Sequence, residues 1–593
     1  MDTVSQQEPR ASGRARTISY LNGQAGTWPA VTLGVFVVSA AFYVLCARPL
    51  PFYNKSEPRE ALVARAVLDG DSVWLPLREG RDVPSKPPLF HWLGAGALRL
   101  GIRPEELAVR LPSCLASAAG LGLTAGVAAR WYGATAGVLA AAILGSSFEW
   151  LRASIQARVD MMLTLLVTAA AFAFHAGLRA HARASLPAHA GAGAWWVRTG
   201  YVLAAAAVLT KGPVGLVLPV LLAIAGAAAT GGARHARALA DPAGVACAAA
   251  LVLGWYLLAW TAGGTDFVER QILHENLQRF LGGDDEDAAH AEPFYYYGLA
   301  ILGGFFPWTI LIPLAAAGAW RHRTAPDRFL TAWIVTVLGF YSLAAGKRSA
   351  YLLPLFPPLA ILAGRAVADV LASPPSAARR WIASGLAAVV ALAALGVAAG
   401  WEEEAGRWIA PYLHPRDLVQ LGAARATLAA NRWALTATLG AMAAGLGVCG
   451  GMAAHGPARP AAALCVVALA WAGGFTAFGT YPFARASTLR PFAEQVRLLL
   501  EEDDVLWMRG WVDYGFRYYV GHPLRPWSGR RGSTTGGREF VVGAAPENDE
   551  VYRRRGLVLR IPDLRAIALI RHELAEVRDA EPPASTGPDG APP

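Results

Sequence analysis

Long apolar runs recur along the chain, separated by short polar turns, over 29–48, 107–129, 131–149, 160–178, 198–210, 212–231, 240–261, 295–318, 328–345, 350–371, 381–400, 432–453 and 460–480. A run of about 20 residues at 1.5 Å per residue crosses a hydrocarbon core of about 30 Å. The pattern therefore predicts an α-helical polytopic membrane protein with about thirteen transmembrane helices. The run at 198–210 is short and leads into Lys211-Gly212-Pro213, as one arm of a broken helical hairpin would. The first run exceeds a signal-peptide core and lacks a cleavage site, so it is expected to stay as a membrane helix behind a polar N-terminal tail, 1–28.

The order of charges sets an expected topology. With the N-terminus in the cytoplasm, the cytoplasmic turns hold Arg130; Arg179, Arg183 and Arg198; Arg234 and Arg237; Arg321, Arg323 and Arg328; Arg379 and Arg380; and Arg459. Every such turn is positive, as cytoplasmic loops are. The transmembrane region, 29–480, then presents its larger loops, 49–106, 262–294 and 401–431, on the outer side, with probable surface helices near 57–70 and 87–100. The polar tail follows on that side. Thr488–Glu501 reads as an amphipathic helix, Val505–Met508 and Gly556–Ile561 as strands, and Ala566–Glu576 as a helix. This predicts a small α/β extracytoplasmic C-terminal domain, 481–579, with a disordered end, 580–593.

Composition narrows the class. Of 593 residues, 54% are hydrophobic and only 16% charged, against about 25% charged in soluble domains. The net charge of +10 raises the question of nucleic acid, but no basic stretch interleaved with aromatics accompanies it, and cytoplasmic loops account for the excess. Twenty tryptophans suit membrane interfaces. The five cysteines, Cys46, Cys114, Cys247, Cys449 and Cys465, form neither CxxC nor Cys/His pairs, which argues against structural zinc and disulfides.

Polar groups gather at the outer ends of the spans. Glu57 and Glu60 flank Arg59 after the first span; as plain structure, Ser56 would N-cap the helix and the acids would sit in its first turn. Lys86 precedes a Pro-initiated apolar helix, where a cation opposes the dipole and a bound anion would justify it. Asp160, behind Arg158, opens a span as an N-cap or a functional carboxylate. Lys211 sits in an outer turn. His274 and Arg279 lie loosely on one helical face, followed by the acidic run 284–287 (a solvated loop or a divalent-metal site), then His290 and the aromatic run Tyr295–Tyr297, an interface belt or a lipid- or sugar-packing surface. Lys347 and Arg348 are adjacent cations ahead of Tyr351, against the usual charge bias, and their natural counter-ion is a phosphate. Four or more cations with acids on one membrane face suit a lipid-linked phosphate.

In that order the motifs resemble those of the bacterial polyprenyl-phosphate-dependent membrane glycosyltransferases of GT-C fold, the branch of the lipid A aminoarabinose transferases, related to protein O-mannosyltransferases. The resemblance covers about 30–360. It rests on Glu57-Pro-Arg59-Glu60, Lys86-Pro-Pro-Leu-Phe-His-Trp, Arg158-Val-Asp160, Lys211-Gly-Pro, His274 with Arg279-Phe280, His290…Pro293-Phe-Tyr-Tyr-Tyr, Phe306-Pro-Trp308 and Gly346-Lys347-Arg348…Tyr351-Leu-Leu-Pro. It implies transfer of a sugar from undecaprenyl phosphate to a periplasmic-side acceptor (lipid A, another glycolipid or a protein) by a protein of the bacterial inner membrane. Glu57 and Asp160 are the implied catalytic carboxylates. Arg59, Lys86, Lys211, Arg279, Lys347, Arg348 and Tyr351 are the implied donor-binding groups; Glu60, Arg158, His274, His290 and Tyr295 are further site residues. The family opens its first outer loop with Asp-Glu-x-Arg; this chain has Ser56 at the aspartate position, which leaves Glu57 as the nearest carboxylate. A flippase of lipid-linked sugars would use similar cations, and a member without catalysis would explain Ser56. No cofactor is implied with certainty, and the acidic run leaves a divalent metal open.

Overall fold

The computed structural model describes residues 26–278, 295–509 and 513–526, with short breaks inside them, and the strand segments 539–544, 557–560 and 572–576. Two units form by contact: residues 1–50, 60–402 and 428–481, and residues 51–59, 403–427 and 482–593. The boundary near 481 is where the polar tail was expected to begin. Two outer-loop stretches, 51–59 and 403–427, group with the tail rather than with the helices that bracket them.

The first unit is helical. Its elements are α1 Trp28–Ala47, α2 Ser56–Asp69 (whose first turn belongs to the second unit), α3 Leu89–Arg99, α4 Glu105–Tyr132, α5 Ala134–Ser146, α6 Phe148–Ser154, α7 Val159–Ala182, α8 Pro187–Lys211, α9 Val214–Thr230 and α10 Pro242–Phe267. A π-helical segment, Val268–Gln278, continues α10. After it come α11 Tyr296–Gly304, α12 Leu311–His322, α13 Ala325–Ser342, a 3-10 segment Ser349–Leu355, α14 Phe356–Ala372 and α15 Ala377–Ala398, and later α18 Arg432–Gly451 and α19 Ala458–Phe475. All thirteen predicted runs are helical.

The span count is lower than predicted. Among the described residues seven helices are long and apolar enough to cross a membrane, or up to nine when two bent pairs each count as one: α5 with α6, bent by 71°, and α11 with Trp308–His322, bent by 113°. Apolarity located the runs, but the bends divide some, and α9 is a shorter apolar helix of 17 residues. The chain is a multi-pass membrane protein. Leu33, Val37, Val38 and Leu45 stand exposed on α1, which only a lipid neighbour makes inexpensive.

Small residues set how closely the helices approach. A Cβ on Gly364 of α14 would stand 2.6 Å from the Ala140 backbone nitrogen of α5, so these two helices touch through their backbones. Two polar ties hold the helix ends. The Arg110 guanidinium is fully buried and donates to the Ala47 and Leu50 carbonyls, where α1 ends. Asp327 accepts from the Tyr132 hydroxyl at 2.8 Å, pairs with Arg365 and completes a capping box with Thr324.

The second unit carries an α/β fold. It contains α16 Glu402–Ile409 and α17 Pro415–Ala430 in their greater part, then α20 Tyr481–Ser487, α21 Arg490–Leu499, β1 Val505–Arg509, α22 Tyr514–Val520, β2 Leu524–Pro526, β3 Glu539–Ala544, β4 Leu557–Arg560 and β5 His572–Glu576. The sheet order is β2-β1-β3-β5-β4, parallel around β1 and antiparallel around β5. Phe492, Ala493 and Val496 of α21 recur at helical spacing and pack with Leu506, Phe516, Val520, Phe540 and Val542. The expected helix over 566–576 is a strand over 572–576. Its Leu, Ala and Glu favour a helix locally, but pairing with both β3 and β4 prevails. Residues 566–571 lie outside the described residues, as do the N-terminal 1–25 and the final 577–593.

Candidate functional site

The helix start around Glu57 is built by Asn54, not Ser56. The Asn54 side-chain oxygen accepts from the Ser56 and Glu57 amides at 2.9 and 3.0 Å, and its Nδ2 donates to Glu57 Oε2 at 2.9 Å. This is a capping arrangement displaced two residues from the expected one, because Asn reaches forward to two orphan donors at once. Glu57 is fully buried and Arg59 half-buried, both in the second unit.

In the first unit, Glu60 of α2 and His91 of α3 are buried and meet at 2.7 Å through Oε2 and Nε2. His91 Nδ1 has no hydrogen-bond partner among the described residues. The loop that leads to Lys86 is pinned from afar. Gln271, buried in the π-helical segment, donates to the Pro84 carbonyl at 2.7 Å and the Lys86 carbonyl at 3.2 Å. Lys86 itself is half-buried.

The main cluster gathers at the ends of α7, α8 and the 3-10 segment. Asp160, 5% exposed, receives Lys211 Nζ at 2.5 Å and Arg158 Nη2 at 3.0 Å. It is therefore a buried carboxylate between two cations, not an N-cap. Lys211 ends α8 because Gly212, at φ +87°, turns the chain before Pro213 starts α9. The same ammonium lies 4.6 Å from the centre of the Tyr351 ring, which stacks on Tyr341 at 5.3 Å. Tyr297 of the aromatic run is buried; Tyr295 is exposed at the head of α11. Lys347 and Arg348 are half-buried, Arg348 as the N-cap residue of the 3-10 segment that holds Tyr351. The Lys347 ammonium makes no ion pair among the described residues.

Thus Arg158, Asp160, Lys211 and Tyr351 are brought together, with Lys347 and Arg348 on the segment that carries Tyr351. Glu60 belongs to a separate buried pair. His274 falls in the π-helical segment Val268–Gln278, and its expected face partner lies beyond the described residues. Arg279, His290 and the acidic run 284–287 lie outside the described residues. No group of three His, Cys, Asp or Glu side chains suited to a metal stands together among the described residues. The five cysteines are free.

Sequence reasoning missed Glu149 and Arg152. Glu149 is 3% exposed and takes both Arg152 Nη2 (2.6 Å) and Nε (3.1 Å). Their signal was an i,i+3 charge pair immediately after an apolar run. Chemically, the cluster offers cations and tyrosine rings around one neutralised carboxylate, groups whose chemistry suits an anion such as a phosphate.

A bundle of apolar helices and an α/β second unit make up the GT-C fold expected from the resemblance. The fold is shared along nearly the whole chain with ArnT from Cupriavidus metallidurans, solved bound to undecaprenyl phosphate: TM-score 0.74 at 20% identity, over 93% of this chain and 98% of that one. Residues 85–260 match the family described as dolichyl-phosphate-mannose-protein mannosyltransferase. The chain is 30% identical over 376 residues to the undecaprenyl phosphate-alpha-4-amino-4-deoxy-L-arabinose arabinosyl transferase of Enterobacter sp. (strain 638), covering 62% of this chain and 65% of that protein. It is 31% identical over 374 residues to the enzyme of the same name from Pseudomonas aeruginosa (strain UCBPP-PA14), covering 61% and 64%. The matches thus span slightly under two thirds of these curated relatives.

Proposed function

We propose that this protein transfers a sugar from a polyprenyl phosphate, undecaprenyl phosphate in bacteria, to an acceptor on the periplasmic side of the inner membrane. Lipid A, another glycolipid or a protein is the acceptor class. The observation that carries the reading is the buried Asp160–Lys211–Tyr351 cluster with the half-buried Lys347 and Arg348 on the same segment as Tyr351. Cations placed against the lipid are costly unless an anion meets them, and a lipid-linked phosphate is the anion a membrane supplies. The relatives described above, which are undecaprenyl-phosphate arabinosyl transferases by name, support the same class.

In the proposed step an acceptor oxygen forms the new bond to the anomeric carbon while the bond from that carbon to the phosphate oxygen breaks. The phosphate leaves with the electron pair, and Lys347, Arg348 and Lys86 neutralise it, with Lys211, Arg279 and Arg59 as further donor-binding groups. Where the acceptor is a hydroxyl, a carboxylate base takes its proton, and Glu57 is the residue the resemblance implies for that role. Asp160, already paired with two cations, orients Lys211 rather than taking a proton. The N-terminus is assigned to the cytoplasm and the second unit to the periplasm, in keeping with the positive turns.

The test uses proteoliposomes with radiolabelled sugar on undecaprenyl phosphate and a membrane extract as acceptor. Wild type is expected to label an acceptor, Glu57→Gln to lose transfer, and Lys347→Glu to lose donor binding. Transfer by Glu57→Gln removes Glu57 from the chemistry. Label that only changes leaflet makes the protein a flippase. An EDTA arm reads metal dependence.

A further inference from the structure

The segment that presents Lys347 and Arg348 has an anchor of its own. Ser349, directly after the two cations, donates its hydroxyl to Glu149 Oε1 at 3.4 Å across 200 residues of sequence. Ser349 opens the 3-10 segment, whose other functional residue, Tyr351, is held beneath Lys211. The first turn of this short segment thus meets both Glu149, through Ser349, and Lys211, through Tyr351.

Glu149 is buried with a counter-ion of its own. A lone buried carboxylate beside two cations would bind them and remove their charge from a ligand. Here the Arg152 guanidinium forks onto both carboxylate oxygens at 2.6 and 3.1 Å, so the anion is neutralised from its own helix. Glu149 can then hold the Ser349 hydroxyl without competing for Lys347 or Arg348. Arg152 Nη1 also reaches Gln156 Oε1 at 3.4 Å, two residues before the Arg158 that pairs with Asp160. The helix of Glu149 is fixed in turn. The Phe148 amide donates to the Phe306 carbonyl at 3.0 Å, and a Cβ on Gly304 would stand 3.1 Å from the Glu149 Cβ.

We infer that Glu149, neutralised by Arg152, is a positioning residue that fixes Ser349 and so aims Lys347 and Arg348 at the donor phosphate. This rests on the donor-phosphate reading above. It predicts a selective loss: weaker binding of the polyprenyl phosphate, with the acceptor untouched.

The experiment measures binding of radiolabelled undecaprenyl phosphate to the full chain in nanodiscs, followed by steady-state transfer, for wild type, Glu149→Ala, Glu149→Gln and Ser349→Ala. The expected result is donor affinity lowered about tenfold in Glu149→Ala, the size of one lost hydrogen bond to a charged group, and less in Glu149→Gln, which keeps an acceptor for Ser349. In both, the donor KM should rise while kcat and the acceptor KM hold. Ser349→Ala leaves the Glu149–Arg152 pair intact, guards against misfolding of the other variants, and is expected to lower donor affinity about threefold. Wild-type donor affinity in Glu149→Ala and Ser349→Ala overturns the inference alone. Donor and acceptor KM rising together, with a lower Tm, also overturns it, because Glu149 is then only structural. A wild-type chain that binds no polyprenyl phosphate overturns both this inference and the function beneath it.

Discussion

At the residue scale, the strongest local demand is the burial of Asp160 between Lys211 and Arg158. A carboxylate at a span end is tolerable only with its cations in place. Lys211→Met therefore leaves Asp160 with Arg158 alone, and is expected to cost about 3 kcal/mol, as removal of one buried partner does. The double variant Lys211→Met/Asp160→Asn should recover most of that stability but not donor binding. Thermal unfolding of the three forms in detergent checks this; equal loss in single and double variants would show that the two residues are not coupled. The types and positions of Asp160, Lys211 and Tyr351 were legible as polar groups against the membrane's preference. Their mutual contact was not, since Lys211 and Asp160 are 51 residues apart and no periodicity reports on that distance.

At the element scale, helix starts depend on which side chain reaches the free amides. Asn54 rather than Ser56 does this for α2. Asp513 does it for α22, accepting from the Gly515 amide at 2.7 Å. Burial raises the Asp513 pKa above the usual aspartate value, against the pull of the Gly515 amide, Lys55 and Arg517. A carboxylate raised by folding favours the fold most below its unfolded value of about 3.9, and that contribution is lost as pH rises through the folded value. Asp513→Asn keeps the cap and removes the buried charge. It is expected to protect the amides of α22 from hydrogen exchange better than wild type at pH 7, with the gap closing toward pH 4. A gap that widens on acidification would contradict this. Short elements were also where local reading failed: β5 lies in a stretch with helix-forming residues, and its strand state comes from β3 and β4 on either side.

At the scale of the whole molecule, apolar runs, their spacing and the arginines between them define a multi-pass bundle, while the bends at 71° and 113° decide how many runs cross as single helices. The charge order makes one further prediction: alkaline phosphatase fused after residue 480 should be active and a fluorescent protein there dark, with the reverse for fusions at the 319–324 turn. Active phosphatase at both positions would refute the proposed orientation.

The amino-acid sequence alone determined the helical membrane class and the place of the apolar helices along the chain. These follow from local properties: hydropathy over about 20 residues and charge at span ends. Only the tertiary structure decided that Asp160 lies between Lys211 and Arg158, that Glu149 holds Ser349 from 200 residues away, that Gln271 pins the loop of Lys86, and that 572–576 is a strand. Each of these is a contact between distant segments, made by helix packing and strand pairing, and such contacts leave no trace in the neighbouring sequence.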